Sequence, residues 1–385
     1  MKSANTYTAY LQRLSEAGLL RTISDRGSRQ GRTIRIGEAQ LLNFASNDYL
    51  GLAASAMIIE GAGRALVEFG LGAGASRLLS GGCTLHGELQ RRVAAFKGSA
   101  AAVVFNSGYT ANVSAIPALA TNEGAIFSDE LNHASIVDGC RLSGAQRFIY
   151  RHGSLQHLAE LLQASARTLK LVVTESVFSM DGDIVDIRGI HELCKTHNAL
   201  LYIDDAHATG VLAEGRGSLA YFSIQPDDAI IQMGTFSKAL GSMGGFVAAS
   251  ETIIEYLVNR ARGLMYSTAL PAPIVAASLA AINHLQCNPE VVATLHANIN
   301  NCKRLLLLRG IHVPAAATAI VPIYVETVAE ALRISEHLLT RGIYAPAIRP
   351  PTVKQPRIRI SLSALHSDDD IERLSTSLAE AIGCP

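Results

Sequence analysis

The sequence contains no tryptophan and has few aromatic (5%) or charged (17%) residues. Its 33 Lys and Arg residues balance 33 Asp and Glu residues, so the net charge of 0 gives no overall field that would attract nucleic acid or an anionic membrane. The longest apolar stretches, such as residues 273–282, are too short to span a bilayer, and residues 1–20 lack the apolar core of a signal peptide. We therefore expect a cytoplasmic protein that has neither nucleic acid nor a membrane as a partner and that binds any anion locally.

Motifs of several common metal and hydrolase sites are also missing. No HExxH motif occurs and the histidines lack metal-ligand spacing, so the sequence predicts no metal site. No GxSxG motif occurs, which argues against a Ser-His-Asp hydrolase. The cysteines form no CxxC pair, and a chain of this length needs no disulfides, which is typical of a reducing compartment. They are Cys83, Cys140, Cys194, Cys287, Cys302 and Cys384.

Aliphatic residues, by contrast, are abundant. The chain has 385 residues and is 49% hydrophobic, which is enough for two or three domains. From about residue 100, short β-branched runs alternate with segments of helical periodicity. This alternation predicts an α/β fold whose large domain has a mostly parallel seven-stranded sheet covered by helices on both faces. The predicted strands are residues 101–105, 125–128, 147–150, 169–174, 199–203, 229–232 and 245–248.

The pattern changes after about residue 270. A long helical stretch is followed by strands at 320–325 and 357–362 and by helices at 328–341 and after Ser367. This succession is typical of a smaller α+β domain. We therefore expect three parts, which are an N-terminal segment packed with the small lobe (1–50), a large domain (51–270) and a small C-terminal domain (271–385).

The residues after each predicted strand are the place to look for chemistry, because ligands collect at the carboxyl ends of parallel strands. Residues 107–110, with the sequence SGYT, stand between a strand and a helix, where free N–H groups and the helix dipole suit a phosphate. An ordinary helix cap would have the same appearance, so this segment alone does not establish a phosphate site. No Walker motif or GxGxxG spacing supports a nucleotide-binding fold.

Asp204 and His207 follow the predicted strand at 199–203. A buried, ionised carboxylate needs a cation or a strong donor as its partner, and a protonated ring nitrogen would be suitable. The alternative is a structural aspartate that caps the next helix. The adjacent Asp205 competes with Asp204 for either role.

Lys238 follows the next predicted strand and lies among small and apolar residues. A partly desolvated lysine at this position would have a lowered pKa and could form a Schiff base. The alternative is a solvated lysine after a strand. The surrounding glycines, residues 234, 241, 244 and 245, favour the first interpretation because they leave space for a bulky ligand.

Taken together, these residues occur in an order that resembles the fold-type I pyridoxal 5'-phosphate (PLP) enzymes. Within that superfamily, the chain is similar to the α-oxoamine synthases over essentially its whole length. The motifs that carry the resemblance are SNDYLGL (46–52), SDELNHAS (128–135), VFSMDGD (177–183), DDAHATG (204–210) and YST (266–268).

The resemblance implies PLP as the cofactor and a role for each matching residue. Lys238 would hold PLP covalently, and Asp204 would keep the pyridine nitrogen protonated. The implied catalytic residues are Lys238, His133, Asp204 and His207. The implied cofactor-binding residues are Ser107, Gly108, Tyr109, His133, Ser179, Asp204, His207, Thr235, Lys238, Ser267 and Thr268, the last two across the interface of a homodimer.

The resemblance also implies a decarboxylative condensation of an amino acid with an acyl thioester. Residues 347–353 most resemble the biotin-pathway branch of the family, which implies L-alanine and pimeloyl-CoA or pimeloyl carrier protein as substrates. Lys354 and Ala208 depart from the family pattern, which affects the fit of the substrate and not the cofactor. The implied substrate-binding residues are Arg21, Asn47, His133, Arg349, Thr352 and Arg359.

Two alternatives remain open on the sequence. One is a sister enzyme that uses glycine, such as 2-amino-3-ketobutyrate CoA ligase. The other is a protein without PLP, either a nucleotide-dependent oxidoreductase or a ligand-binding module. The colour of bound PLP separates the second alternative from the main interpretation, and an amino-acid panel separates the first.

Overall fold

The apolar runs and periodic segments form the strands and helices of the computed structural model, which describes residues 2–315 and 318–383. The strands are β1 (Thr33–Ile36), β2 (Ala39–Asn43), β3 (Ala101–Phe105), β4 (Ala125–Asp129), β5 (Gln146–Tyr150), β6 (Lys170–Glu175), β7 (Leu200–Asp204), β8 (Ile230–Thr235), β9 (Gly245–Ala249), β10 (Ile320–Tyr324), β11 (Ile343–Tyr344), β12 (Ala347–Ile348) and β13 (Arg357–Ser361). The helices are α1 (Lys2–Glu16), α2 (Ala56–Phe69), α3 (Thr84–Lys97), α4 (Gly108–Leu119), α5 (Ala134–Leu142), α6 (Leu155–Ala164), α7 (Ile187–Thr196), α8 (Ser218–Tyr221), α9 (Glu251–Arg260), α10 (Arg262–Met265), α11 (Ala272–Cys287), α12 (Glu290–Leu308), α13 (Val328–Thr340) and α14 (Asp368–Ile382). Within these described residues, no helix combines the length and the apolar character needed to cross a membrane.

The central sheet has seven strands in the order β3-β9-β8-β7-β6-β4-β5. β9 pairs antiparallel with β3 and β8, and the other neighbours are parallel. The predicted α/β fold with a mostly parallel seven-stranded sheet is therefore confirmed. The register places Glu175 of β6 opposite Asp204 of β7, and Asp204 opposite Met233 of β8. The carboxyl ends of three neighbouring strands thus lie side by side, which is where a ligand site is expected.

Alternate residues of the central strands belong to hydrophobic cores on opposite faces of the sheet. Val173 of β6 packs in one core with Val103, whereas Val172 packs in the other core with Phe127. All four side chains are at most 2% exposed. Full burial of one such aliphatic side chain contributes roughly 1.5–3 kcal/mol, so the two cores hold the strand ends firmly.

The chain divides into two compact units. The large unit consists of residues 47–179 and 183–295 and contains the central sheet. The small unit consists of residues 1–46, 180–182 and 296–385 and contains two three-stranded sheets, β1-β2-β11 and β10-β13-β12. Its N-terminal part is joined to its C-terminal part by the parallel pairing of β2 with β11.

The boundary expected at residues 270/271 lies at 295/296 in the structure, within α12. The physical reason is that α11 packs against α2 and α3 and so belongs to the large unit. Gly61 of α2 faces α11, since a Cβ at that position would lie 3.4 Å from the Cβ of Ala280, an ordinary van der Waals contact. Residues 180–182 belong to the small unit, although the residues on both sides of them belong to the large unit. The sequence does not indicate this.

Candidate active site

α4 begins directly after β3, and its first turn lies beside the end of β8. Ser107 caps the helix, since its Oγ accepts a hydrogen bond from the backbone N of Thr110 at 3.0 Å. Gly245 lies so close that a Cβ there would be 2.7 Å from the backbone N of Gly108. A Cβ on Gly108 would in turn lie 3.5 Å from the Cβ of Thr235. The structure therefore brings Ser107, Gly108 and Thr235 together at a helix N-terminus, where an anion is stabilised.

The other residues near this helix start also have defined partners. Thr235 is buried, and its Oγ1 donates to the carbonyl oxygen of Gly244 at 2.7 Å. The backbone N of Ser237 donates to Thr235 Oγ1 at 3.1 Å. Tyr109 is 48% exposed and donates its hydroxyl to Asp138. The exposed Ser237 adds a hydroxyl to this group that the sequence did not single out.

Asp204 is a buried carboxylate at the end of β7. It accepts hydrogen bonds from Asn112 Nδ2 at 2.8 Å and from the backbone N of Ala206 at 3.0 Å. Asn112 is held in place by the hydroxyl of Tyr202, which donates to its Oδ1 at 2.9 Å. These neutral donors orient the carboxylate but bring no opposite charge, and Asp204 forms no ion pair within the described residues. A cationic group would therefore be its fitting partner.

Asp205 has its charge partner inside the protein. Its Oδ2 forms an ion pair with Lys97 Nζ at 2.7 Å, and both side chains are 0% exposed. It also accepts hydrogen bonds from Ser176 Oγ at 2.6 Å and from the backbone N of Ser218 at 3.0 Å. Burial raises the pKa of Asp205, but the charge of Lys97 and the hydrogen bonds outweigh burial and hold this pKa below its usual value. Of the two adjacent aspartates, Asp204 is thus the one available to a ligand.

The amine of Lys238 is part of a chain of hydrogen bonds. Lys238 Nζ lies 2.8 Å from His207 Nε2, and His207 Nδ1 lies 2.7 Å from the hydroxyl of Tyr49. That hydroxyl donates to Asn47 Oδ1 at 3.1 Å. His207 and Tyr49 are buried, at 5% and 0% exposure. The chain joins three predicted site residues through Tyr49, to which the sequence assigned no role.

His133 caps α5 and lies close to both charged groups of the site. Its Nδ1 is 2.8 Å from Ser135 Oγ, and its backbone N donates to Glu175 Oε1 at 2.6 Å. Burial lowers the pKa of the His133 ring, Asp204 acts in the opposite direction, and Lys238 lowers the pKa further. Burial and the proximity of Asp204 raise the pKa of Glu175 well above its ordinary value. A neutral imidazole beside Asp204 and Lys238 is suited to stack on a flat aromatic ligand.

Three further serine and threonine residues were predicted for the cofactor site. Ser179 is half-buried and follows the buried residues 172–178. Asn106 Nδ2 donates to Ser267 Oγ and to the carbonyl oxygen of Thr268, both at 2.7 Å. Because Asn106 directly precedes Ser107, these bonds place Ser267 and Thr268 beside the start of α4 within their own chain.

The small unit holds most of the predicted substrate residues in two groups. Arg21 Nη2 donates to Thr352 Oγ1 at 3.2 Å and to the carbonyl oxygen of Arg349 at 3.3 Å. The Nε of Arg349 is buried without a hydrogen-bond partner among the described residues. Arg359 lies on β13, is 7% exposed, and donates from Nη1 to Ser361 Oγ at 2.9 Å. The structure thus brings Arg21, Arg349 and Thr352 together and places Arg359 on a separate strand.

The strand-end cluster, defined as Ser107, Gly108, His133, Asp204, His207, Thr235 and Lys238, fits PLP by the chemistry of its groups. It offers a carboxylate for the pyridine nitrogen, an imidazole for the ring face, a lysine amine and a helix N-terminus for the phosphate. The close approach of Gly245 to Gly108 fits as well, because a side chain at residue 245 would obstruct the first turn of α4. Within residues 2–315 and 318–383, no group of three His, Cys, Asp or Glu side chains could hold a metal ion.

Sequence reasoning missed Asn112, Tyr49 and Glu175. Asn112 lies one turn after Gly108 on α4, so helical spacing places it on the same face as the start of the helix. Tyr49 stands inside the SNDYLGL motif, and Glu175 directly follows the predicted strand at 169–174. A systematic reading of every strand end would have included Glu175, whereas Tyr49 and Asn112 lie at neither a strand end nor a first helical turn.

Comparison with known proteins gives consistent results. The profile of the aminotransferase class I and II family matches residues 39–378. The 8-amino-7-oxononanoate synthase of Geotalea daltonii is 44% identical over 381 residues, which is 97% of each chain. Serine palmitoyltransferase of S. paucimobilis, solved with a bound PLP–myriocin aldimine, has a TM-score of 0.92 and 27% identity and covers 99% of this chain and 97% of its own. The structure of 8-amino-7-oxononanoate synthase from Francisella tularensis has a TM-score of 0.78 and 27% identity, covering 89% of this chain and 98% of its own.

Proposed function

Because the chain belongs to the aminotransferase class I and II family and is similar to 8-amino-7-oxononanoate synthases along nearly its full length, we propose that it condenses L-alanine with a pimeloyl thioester. The products are 8-amino-7-oxononanoate, CO2 and the free thiol of CoA or of a carrier protein, a step of biotin biosynthesis. The enzyme is a PLP-dependent acyltransferase. The observation that carries the proposal is the strand-end cluster, in which the Lys238 amine, the Asp204 carboxylate and the His133 ring lie together.

The strand-end cluster would hold PLP through several of its side chains. Asp204 would hold a proton on the pyridine nitrogen, and His133 would stack on the ring. His207 and Ser179 would reach the phenolic oxygen, and Lys238 would bind PLP covalently. The residues for the phosphate are Ser107, Gly108, Tyr109, Thr235, Ser267 and Thr268.

PLP, when bound, supplies an electron sink for the negative charge that develops at the Cα of the amino acid. The residues of this chain supply the proton transfers. The amine of Lys238 removes the Cα proton and later returns one, because an uncharged amine is an effective general base. His207, whose Nε2 lies 2.8 Å from that amine, is placed to exchange a proton with it.

The condensation forms a bond between the Cα of alanine and the acyl carbon, breaks the C–S bond of the thioester and then releases the carboxylate as CO2. Arg359 would bind the alanine carboxylate, since a guanidinium offers two parallel hydrogen bonds, and Asn47 would assist it. Arg21, Arg349 and Thr352 would bind the acyl donor. The hydrogen bonds among these three residues support a common role for them.

The test is an assay of the PLP-loaded protein with L-alanine, glycine and L-serine, each combined with pimeloyl-CoA or pimeloyl carrier protein. We expect release of the thiol and formation of 8-amino-7-oxononanoate with L-alanine, and no release in the matched Lys238→Ala variant. Activity with glycine well above that with alanine would overturn the substrate assignment in favour of a sister enzyme. A protein that does not retain PLP would overturn the cofactor assignment.

We also propose that the enzyme is a homodimer. The large unit exposes the aliphatic side chains of Val67 (89%), Leu71 (74%) and Leu79 (79%), which burial in an interface would remove from water. Closed two-fold symmetry is the commonest oligomeric state. Sedimentation should show a dimer for the wild type and a monomer for the Leu71→Glu, Leu79→Glu double variant, whereas Leu308→Glu, at a 71% exposed leucine of the small unit, should leave the dimer intact. A wild-type monomer with full activity would overturn this proposal.

We place the reaction in the cytoplasm. In the part of the chain that the structure describes, Cys83, Cys140, Cys194, Cys287 and Cys302 are all unpaired thiols. This state is typical of a reducing compartment and supports the proposal. Cys384 lies outside the described residues. Fractionation of the native cells with an antibody against the protein tests the location, and recovery in a membrane or secreted fraction would overturn it.

A further inference from the structure

The hydroxyl of Tyr49 occupies a central place in the site and has no part in the function proposed above. It is fully buried and lies 2.7 Å from His207 Nδ1 and 3.1 Å from Asn47 Oδ1. On the other side of the imidazole, His207 Nε2 lies 2.8 Å from the amine of Lys238. Hydrogen bonds therefore connect Asn47 with Lys238 through Tyr49 and His207. All four side chains belong to the large unit.

The chemistry of these groups restricts where the hydrogens can lie. A phenol has one hydrogen to donate, and an amide oxygen can only accept. When Tyr49 donates to Asn47 Oδ1, the Nδ1 of His207 must carry a hydrogen to bond with the phenol oxygen. A neutral imidazole then has no hydrogen on Nε2, which accepts from the Lys238 amine.

The opposite arrangement is equally available to these atoms. When the hydroxyl of Tyr49 donates to Nδ1, the hydrogen of the neutral ring is on Nε2, and His207 becomes a donor on the Lys238 side. A change at Asn47 would favour one arrangement over the other. The hydroxyl of Tyr49 is the group that allows both, because it can donate to Nδ1 or accept from it.

We propose that Tyr49 is a positioning residue that sets the tautomer of His207 and thereby couples Asn47 to the protonation of the Lys238 amine. The proposal rests on the function proposed above, in which Asn47 contacts the carboxylate of the amino acid and Lys238 moves the Cα proton. In that setting, a carboxylate that engages Asn47 changes the hydrogen bond that Asn47 offers Tyr49. Binding of the substrate carboxylate then changes the protonation of the Lys238 amine, which transfers the Cα proton.

The test uses the full-length chain in four forms, which are wild type, Tyr49→Phe, His207→Gln and the double variant. Tyr256→Phe is the matched control, since its hydroxyl donates to the carbonyl oxygen of Ala118 at 3.1 Å, away from the strand-end cluster. Besides kcat and KM for alanine, two readouts are taken. One is the pH dependence of acetic anhydride labelling at Lys238 without PLP, followed by mass spectrometry of its peptide. The other is the pH titration of the visible band of the PLP-loaded protein.

In Tyr49→Phe, we expect the apparent pKa of Lys238 labelling to fall by about one unit, the size of effect expected from one buried hydrogen bond. The fall follows because Nδ1 loses its partner and His207 no longer presents a fixed acceptor to the ammonium form. The midpoint of the visible band should shift as well, and kcat should fall more than KM for alanine changes. Tyr256→Phe should match the wild type in every readout.

The double-variant comparison separates a relay from a merely structural role. If Tyr49 acts through His207, Tyr49→Phe should cause no further shift in the His207→Gln background. Additive shifts, or labelling and band midpoints equal to those of the wild type, would overturn the proposal. If Tyr49→Phe does not fold, 3-fluorotyrosine at position 49 keeps the packing and makes the phenol more acidic, and an unchanged labelling profile would overturn the proposal in the same way. Absence of bound PLP in the wild type would instead overturn the proposed function, while the labelling experiment would still decide the role of Tyr49.

Discussion

The adjacent aspartates Asp204 and Asp205 are expected to respond to the same substitution in opposite ways. Asp205→Asn leaves Lys97 as a buried cation without its partner, because the ion pair at 2.7 Å lies between side chains that are both 0% exposed. Asp204→Asn removes a charge whose protein partners are neutral, namely the amide of Asn112 and the backbone N–H of Ala206. The first change should therefore affect stability, and the second should affect chemistry.

The sizes of the two effects follow from these contacts. Breaking a buried ion pair by removing one partner costs about 3–5 kcal/mol. For one cooperative transition of a chain of 385 residues, this cost lowers Tm by about 4–6 °C. Asp204→Asn loses part of two hydrogen bonds to neutral donors, which costs about 1 kcal/mol and lowers Tm by about 1 °C. Its activity should fall at least about 100-fold, because the pyridine nitrogen loses the charge that holds its proton.

Three measurements on the PLP-loaded variants test this reasoning. They are Tm by scanning calorimetry, retention of PLP by visible absorbance and the rate of thiol release with L-alanine. The Lys97→Met, Asp205→Asn double variant is the control, and it should be more stable than Asp205→Asn because no unpaired charge remains. If Asp204→Asn keeps its activity while Asp205→Asn is as stable as the wild type but inactive, the assignment of the two residues is reversed.

Lys238→Ala should lose nearly all turnover and its borohydride-reducible bond to PLP while keeping its fold, as judged by circular dichroism, and full activity would contradict the role of Lys238. A mixture of Thr268→Ala and Lys238→Ala subunits should recover part of the activity, because the family resemblance implies that Thr268 reaches the phosphate in the partner subunit, and no recovery after verified subunit exchange would instead assign Thr268 to the site of its own chain. Burial lowers the pKa of His152, but its hydrogen bonds to Asp129 (3.0 Å) and Asp183 (2.9 Å) outweigh burial and raise this pKa to about 10. The contribution of protonated His152 to the free energy of unfolding is thus fully present below its unfolded pKa of about 6.5, and it is lost as the pH rises through about 10. Urea unfolding at neutral pH and above pH 10 should show this loss in the wild type and a smaller one in His152→Gln, and equal losses would contradict it.

The central sheet was predictable because buried parallel strands appear in a sequence as short, nearly continuous apolar runs. The predicted strand at 199–203 is β7 at Leu200–Asp204, and the predicted strand at 169–174 is β6 at Lys170–Glu175. Each predicted end falls within one residue of the observed end, so the polar residues that follow were placed correctly. The end of β8 extends three residues further than predicted, to Thr235, because Gly234 and Thr235 still pair with β9.

The division into units was harder to predict because it depends on contacts that are remote in sequence. The sequence pattern indicates that a new domain starts at α11, since this helix follows the last strand of the alternating region. Its burial against α2, more than 200 residues earlier in the chain, assigns it to the large unit. No local pattern in the sequence 272–287 specifies that partner.

The choice between Asp204 and Asp205 shows the same limit at the level of single atoms. Both aspartates follow the same apolar run, so the local sequence does not distinguish them. The structure distinguishes them through Lys97, which lies 108 positions away in the chain and neutralises Asp205. Gly217 completes the arrangement, because a Cβ there would be 2.1 Å from Asp205 Oδ2 and 2.5 Å from Lys97 Nζ. A glycine that no motif includes is thus required for the ion pair that occupies Asp205 and leaves its neighbour for the ligand.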